Sequence, residues 1–286
     1  AFARAMGGSE RVARQHATGK LDARQRAAAL FDEGSFVEIG GLAGNLSEGS
    51  AAPAPADALV AGFGLVQGRP VLAGIEDFTV LGGSIGDASA SKRYRLTQLA
   101  GQERLPLVFM LEGAGHRLTN QHATPSPNDL QGLVALSGRV PMVCLVMGAS
   151  AGHGALTAPL SDFVVMTEAA SLFVAGPPIV KGAIGETATK EQLGGPMVHV
   201  DTSGVVHNLA SDDAGAIALA RRYLGYFPQN AWQAPPADTG GSDTSPRRLD
   251  AILALIDPDP RVAFDVRPVL SLLADQGSLL EVQPAY

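Results

Sequence analysis

At 286 residues the chain can bury one large core or two ordinary ones, and its formal charge of −7 gives nucleic acid or an anionic membrane no general attraction. With 46% hydrophobic residues, only 17% charged ones and 34 glycines, it suits a well-buried α/β protein with close backbone contacts. The single cysteine, Cys144, excludes an internal disulfide; it lies in an apolar run as a small core residue and predicts a reducing, cytoplasmic setting.

No signal-peptide pattern opens the chain, and its start at Ala1 without Met predicts that this is not the translation start. The most apolar stretch, 140–166, is broken by His153 and Asp162, so no membrane insertion is expected. No Cys/His group has zinc spacing and no Walker loop occurs, so no metal is expected.

In chain order, residues 10–30 read as a helix. Arg11, Arg14, Lys20, Arg24 and Arg26 stand there against Glu10 and Asp22, as a solvated face or as one that binds an anion or a partner. Residues 40–57 form a Gly/Ala/Ser/Pro loop. Strands follow at 58–66 and 71–75 around the turn 67–70, with 77–80 extending the second. A glycine loop at 81–86, a helix at 89–103 and a buried strand at 107–111 have the grammar of a right-handed crossover unit. The unit repeats: helix 129–138, buried strand 141–147, small-residue turn 148–154 and a short helix at 155–160. Short strands at 163–167 and 172–174, a loop-rich excursion at 181–195 and a helix at 212–227 complete this part. Residues 233–246 read as a flexible Pro/Gly/Asp-rich linker, and 247–256 and 266–273 as short helices.

A ten-residue phrase occurs twice. Leu30-Phe-Asp-Glu-Gly-Ser-Phe-Val-Glu-Ile39 returns as Leu273-Ala-Asp-Gln-Gly-Ser-Leu-Leu-Glu-Val282, 243 residues later. That interval exceeds a solenoid period of about 20–50 residues and approaches the length of a large domain. A chance match of helix end, glycine turn and strand is the alternative. The favoured reading is a pair of related domains. Residues 1–232 would be the first, 233–246 the linker, and 247–286 a helical connection and the start of the second.

Two glycine turns follow buried strands: Glu112-Gly-Ala-Gly-His-Arg117, and the turn 148–154. Ligands of open α/β sheets bind beyond the strand ends, and small residues let them approach the backbone. Glycine also serves tight strand–helix packing, but the two turns together favour a site. Such turns can present backbone N–H groups to a thioester enolate. No Gly-x-Ser-x-Gly elbow or paired nucleophile is present; Ser84 and Ser150 lie in glycine turns without a base beside them in sequence.

The segment Asp77-Phe-Thr-Val-Leu-Gly-Gly-Ser-Ile-Gly86, with Lys92 after it, resembles the biotin-dependent acyl-CoA carboxyltransferases. The resemblance runs along nearly the whole chain, through Gly19-Lys20-Leu21, Gly34-Ser-Phe-Val-Glu38, Met147-Gly-Ala-Ser-Ala-Gly152, Gln192-Leu-Gly-Gly195, His199 and His207. It implies a crotonase-like (ClpP/crotonase) α/β spiral of ββα units with an amino-terminal helical segment, the first of a related pair. It further implies that this half holds acyl-CoA while the carboxyl-terminal half holds carboxybiotin, delivered by a biotin carboxylase/biotin carrier subunit in a homo- or hetero-oligomer. Carried over, the oxyanion turns are Gly113, Ala114, Gly115 and His116, and Ala151, Gly152, His153 and Gly154. The acyl-CoA side is Gly82, Gly83, Ser84 and Lys92, with Lys92 either meeting a CoA phosphate or lying on the helix surface. The pattern departs from the family at His116 and His153, which would donate hydrogen bonds or move protons, or instead shape the acyl pocket. His199 and His207 would brace the loop before the last helix. Alternatives are a biotin-dependent decarboxylase subunit, a non-catalytic scaffold half, and a free-standing crotonase-type enzyme. The last would need a carboxylate base, for which Glu112 and Glu186 are the candidates, and neither is expected to serve.

Overall fold

The computed structural model describes residues 3–44, 54–117, 128–236 and 248–286. The chain divides into two units, Ala1–Pro236 with Gln283–Tyr286, and Ala237–Val282. Residues 237–246 of the expected linker lie outside the described residues.

The first unit opens with helices α1 (Ser9–Ala17) and α2 (Ala23–Leu30), where a single helix was expected. The break is chemical. Gly19 takes φ +78°, and Asp22 caps α2, its carboxylate accepting from the Arg24 and Gln25 N–H groups while Gln25 returns a bond to the Asp22 N–H. Strands β1 (Val37–Ile39), β2 (Leu59–Val66) and β3 (Arg69–Glu76) form an antiparallel meander. The expected extension of β3 to residue 80 does not form: the Asp77 carboxylate accepts from the Thr79 N–H and hydroxyl and turns the chain. Helix α3 (Asp87–Glu103), strand β4 (Leu107–Leu111), helix α4 (Asp129–Leu136) and strand β5 (Met142–Val146) follow as parallel crossover units.

Residues 149–151 pair where a plain turn was expected. Strand β6 (Ala149–Ala151) leads into the short helix α5 (Gly152–Ala155). Then come β7 (Phe163–Thr167), β8 (Ser171–Phe173), helices α6 (Pro177–Ile184) and α7 (Lys190–Gly194), a π turn at Val198–Thr202, strand β9 (Asn208–Ala210) and helix α8 (Asp213–Tyr226). The large sheet runs β1-β2-β3-β4-β5-β7-β9, and β6 and β8 form a parallel pair of their own. Strands β4, β5 and β7 are buried along their whole length, which is why they read as unbroken apolar runs. Phe109, Leu111, Cys144 and Val146 meet Leu96, Leu133 and Leu136 from the helices in one core.

In the second unit, helix α9 (Val266–Leu273) follows a 3₁₀ turn at Asp250–Ala254. Its register enlarges the repeated phrase. α2 and α9 are both eight residues long, both capped by an Asp (Asp22, Asp265), and both end at the repeated Leu. Gly34 and Gly277 take φ +70° and +76°, and Ser35 and Ser278 each donate a hydroxyl, at 2.7 Å, to the carbonyl three residues earlier.

Candidate functional site

Three glycine loops meet at the carboxyl ends of the central strands. The Ala114 N–H donates to Gly82 O at 3.1 Å, tying the first glycine turn to the loop at Leu81–Gly83. The Ala151 N–H donates to Gly113 O at 2.9 Å, tying the second turn to the first. These two amides, named as oxyanion donors from sequence, are therefore spent on internal bonds. The approach is too close for side chains. A Cβ on Gly83 would run into Glu112 O, and one on Gly115 would stand 3.0 Å from Ala151 O. Gly115 and Gly152 both take positive φ, +80° and +61°. Ala114 and His116 are exposed, Gly152 and His153 half-buried, and Gly113, Gly115 and Gly154 buried.

Beside Gly82 lies a cavity of about 560 Å³ lined by Arg11, Arg14, Lys20, Phe78, Gly82 and Glu112. Three of the five basic residues first seen as a helix face thus line a hollow next to the glycine loop. Arg14 pairs with Glu10, Arg11 Nη1 reaches Thr79 O at 3.5 Å, and Lys20 Nζ meets Glu112 Oε1 at 2.7 Å. Among the described residues no helix is long and apolar enough to cross a membrane, and no His/Cys/Asp/Glu group is arranged to hold a metal.

Lys92 is not a surface lysine. It is buried, with its ammonium donating to the carbonyls of Ala56 and Leu59, and its stem lies against Gly40. Burial pulls its pKa down to about 8. The group is thus occupied in fastening the backbone before β2. Ser84 is buried as well. Its hydroxyl donates to Leu81 O at 2.7 Å and accepts from Arg117 Nε at 3.2 Å. Ser150 turns its hydroxyl back to Gly148 O, so among the described residues neither serine faces a base.

Glu112 is held inside. Lys20 Nζ and Gln15 Nε2 donate to its two oxygens, and Arg26 Nη2 lies 2.6 Å from Oε2. Arg26 Nε in turn donates to Asp213 Oδ2 at 2.8 Å. A carboxylate so engaged is poorly placed to accept a substrate proton, and Glu186 is exposed on the loop after α6. Beneath the turns lies a second buried group. Arg93 Nη1 reaches Glu76 Oε1 at 3.1 Å, Nε reaches Asp129 Oδ2 at 2.7 Å, and Nη2 reaches Thr157 Oγ1 at 2.6 Å. Burial pushes the Glu76 carboxyl up, against the Arg93 charge and the Glu112 N–H that favour its ionised form. Asp129 and Arg93 escaped the sequence reading. No local motif marks them, and they come from α4 and α3 rather than from the turns.

His199 Nε2 meets Leu172 O at 2.7 Å and Nδ1 meets Ser203 Oγ at 3.0 Å, while His207 Nδ1 accepts from the Val164 N–H at 2.8 Å. Both brace the segment before α8. Burial lowers the His207 pKa.

Such a seam of backbone-tied turns at the ends of the sheet strands is the plan of a crotonase-like domain. Residues 14–286 match the family model described as the carboxyl transferase domain, and the chain belongs to that family. The methylmalonyl-CoA decarboxylase subunit alpha of Veillonella parvula is 35% identical, over 99% of this chain and 57% of its own. The methylmalonyl-CoA carboxyltransferase 12S subunit of Propionibacterium freudenreichii subsp. shermanii is 34% identical, over 98% of this chain and 54% of its own. A transcarboxylase 12S crystal structure, a hexamer with methylmalonyl-coenzyme A and methylmalonic acid bound, superposes with a TM-score of 0.89 at 33% identity, covering 99% of this chain and 55% of that one. The chain thus spans about half the length of the relatives it matches.

Proposed function

We propose that this chain is the acyl-CoA-holding half of a biotin-dependent carboxyltransferase, which moves a carboxyl group from carboxybiotin to the α-carbon of an acyl-CoA thioester. The observation that carries the reading is the seam of three glycine loops running from a basic cavity to two adjoining turns. Arg11 and Arg14 would meet the CoA phosphates. The Gly82 loop, where an added Cβ meets nothing within 4 Å among the described residues, leaves room for the pantetheine arm. The Arg93, Glu76, Asp129 and Thr157 group keeps the turns from relaxing, so the enolate would meet a preorganised wall. At Gly152 an added Cβ would touch only Gly115 Cα, at 3.5 Å, among the described residues, so the seam also admits a flat ureido ring beside the thioester. Biotin on its carrier supplies the carboxyl group when bound. A second related half, on this or another polypeptide, would complete the site, with biotin carboxylase and carrier subunits as partners.

The relative from Veillonella parvula, named a decarboxylase subunit, favours the reverse direction as a second reading. Calorimetric titration with propionyl-CoA tests the common ground. The chain binds it, and Arg11→Glu with Arg14→Glu together weaken binding at least about tenfold, an order set by charge-assisted phosphate contacts. Unchanged binding in the double variant would move the phosphates elsewhere. Labelled-carboxyl transfer by the assembly isolated from its source then separates carboxylation from decarboxylation.

A further inference from the structure

A clasp closes one end of the seam. The loop 81–86 and the first glycine turn run side by side: the Ala114 N–H donates to Gly82 O, the Ile85 N–H to Gly115 O at 2.8 Å, and the Arg117 N–H to Ile85 O at 2.9 Å. At the end of this ladder the Arg117 guanidinium folds back over the loop. Its Nε donates to Ser84 Oγ at 3.2 Å, Nη2 to Ser84 O at 3.0 Å, and Nη1 to Asp57 Oδ1 at 2.9 Å. The Asp57 side chain is 1% exposed, and its other oxygen accepts from the Ser89 N–H, in the first turn of α3, at 2.7 Å.

Two features set this clasp apart from ordinary packing. Ala56, Asp57 and Ala58 take φ of +49°, +48° and +60°, three successive non-glycine residues in the left-handed region. Such backbone is strained and persists only where its surroundings over-determine it. Here Lys92 holds the carbonyls of Ala56 and Leu59, and Arg117 holds the Asp57 side chain. Gly86, at the head of α3, has φ −99°, which any residue adopts. Yet a Cβ there would run into Arg117 Nη1 and stand 2.6 Å from both Asp57 oxygens. Its missing side chain therefore makes room for the ion pair and does not serve the turn. Apolar atoms of the same volume often stabilise a fold more than a buried ion pair does, and strained backbone gathers where geometry serves function.

We propose that Asp57 is a positioning residue for carboxyl transfer: through Arg117 it sets the separation between the Gly82 loop and the first glycine turn. The proposal rests on the reading of the seam as an acyl-CoA site. On that reading the loop carries the pantetheine arm and the turn faces the thioester, so the two must stand at a fixed distance. Asp57 acts at one remove. It holds the guanidinium, and the guanidinium holds Ser84 against the residue that follows His116. Without Asp57 the guanidinium swings and that distance is no longer fixed. Acyl-CoA still binds, because the printed bonds of Arg11 and Arg14, to Thr79 O and Glu10, lie outside the clasp. A misplacement of about 1 Å is enough to slow a reaction about 10²-fold.

The test is labelled-carboxyl transfer, to or from the acyl-CoA, by the assembly isolated from its source with the variant chain in place. Turnover is counted per propionyl-CoA site titrated by calorimetry. Asp57→Asn removes the ion pair. Arg117→Lys keeps a charge opposite Asp57 but cannot span Asp57 and Ser84 together, and Gly86→Ala keeps both charges and crowds them. Each lowers turnover per site at saturation at least about tenfold and leaves the half-saturating concentration near its wild-type value. Asp57→Asn combined with Arg117→Lys loses no more than the worse single variant, because both act on one clasp. Arg117→Lys and Gly86→Ala carry the test if Asp57→Asn does not fold. A merely structural role lowers the number of sites and the urea midpoint but leaves turnover per site unchanged, and that result overturns the proposal. So does a loss confined to the half-saturating concentration. Wild type that binds no propionyl-CoA, or binds it and moves no carboxyl group, overturns the acyl-CoA carboxyltransferase reading and this proposal together.

Discussion

The two copies of the repeated phrase share one local form and lead opposite lives. Each is an Asp-capped, eight-residue helix ending at Leu, followed by a glycine in the left-handed region and a serine bonded back three residues. Leu30 is fully buried where α2 packs against α8, while Leu273 is 54% exposed. Phe31 and Phe36 stack at 5.0 Å in the first copy, and Ala274 and Leu279 stand in their places in the second. Val37–Ile39 pairs with β2, whereas 280–282 forms no named strand. Caps and turns are settled by neighbours along the chain. Burial and strand pairing need a partner from elsewhere.

That contrast can be broken by substitution. Leu30→Ala is expected to cost about 2–5 kcal/mol as a buried large-to-small change, while Leu273→Ala stays within about 0.5 kcal/mol as a surface one, both read from urea midpoints. Similar costs at the two positions would mean that the second copy is buried in solution.

Just past the first copy, Gly40 lies against the stem of Lys92, whose buried ammonium makes the stability of this unit sensitive to pH. Below pH 8 the ammonium is protonated in both states, and its burial costs the fold. Between about 8, its folded value, and 10.5, its ordinary value, the unfolded chain binds more protons, so this group's contribution to stability rises with pH. The stability of wild type relative to Lys92→Met should rise by up to ~3 kcal/mol from pH 7.5 to 10.5. A flat difference would show that the lysine is neutral, or solvated, throughout.

A smaller effect separates the serines. Ser35 Oγ also accepts from the Leu65 N–H at 2.9 Å, so Ser35→Ala should cost about 1 kcal/mol and Ser278→Ala about half that. Smallest is the difference between the glycines, which should vanish. Among the described residues, Gly34→Ala and Gly277→Ala each meet open space at positive φ, and each should cost its own unit about 1 kcal/mol, by hydrogen exchange of the adjoining amides.

Elements carried by local signals were legible in the sequence. The strand at 107–111 and the helix at 266–273 form with the bounds expected. The break in 10–30 was signalled by Gly19 and by Asp22 with Gln25, but the run of charged residues hid it. β6 and β9 were missed because three-residue strands carry no period, and Ala-Ser-Ala has no apolar alternation to show. At the site, the breaks after both buried strands were found, because strand followed by glycine is a local sign, although the second proved to be β6 and the start of α5 rather than a plain turn. What lies beneath them was not. Arg93, Glu76 and Asp129 come from three separate elements, and Lys92, expected to meet a CoA phosphate or to lie on the helix surface, is instead buried against backbone carbonyls.

The large sheet has one further consequence. Its outermost strands, β1 and β9, are three residues each, while the strands between them run to eight. Among the described residues, a neighbouring chain laid along either margin would find only a very short ladder of amides and carbonyls to pair with. The margins therefore resist fibril-like stacking, and association between copies is left to side-chain surfaces, where shape and charge rather than backbone decide who binds.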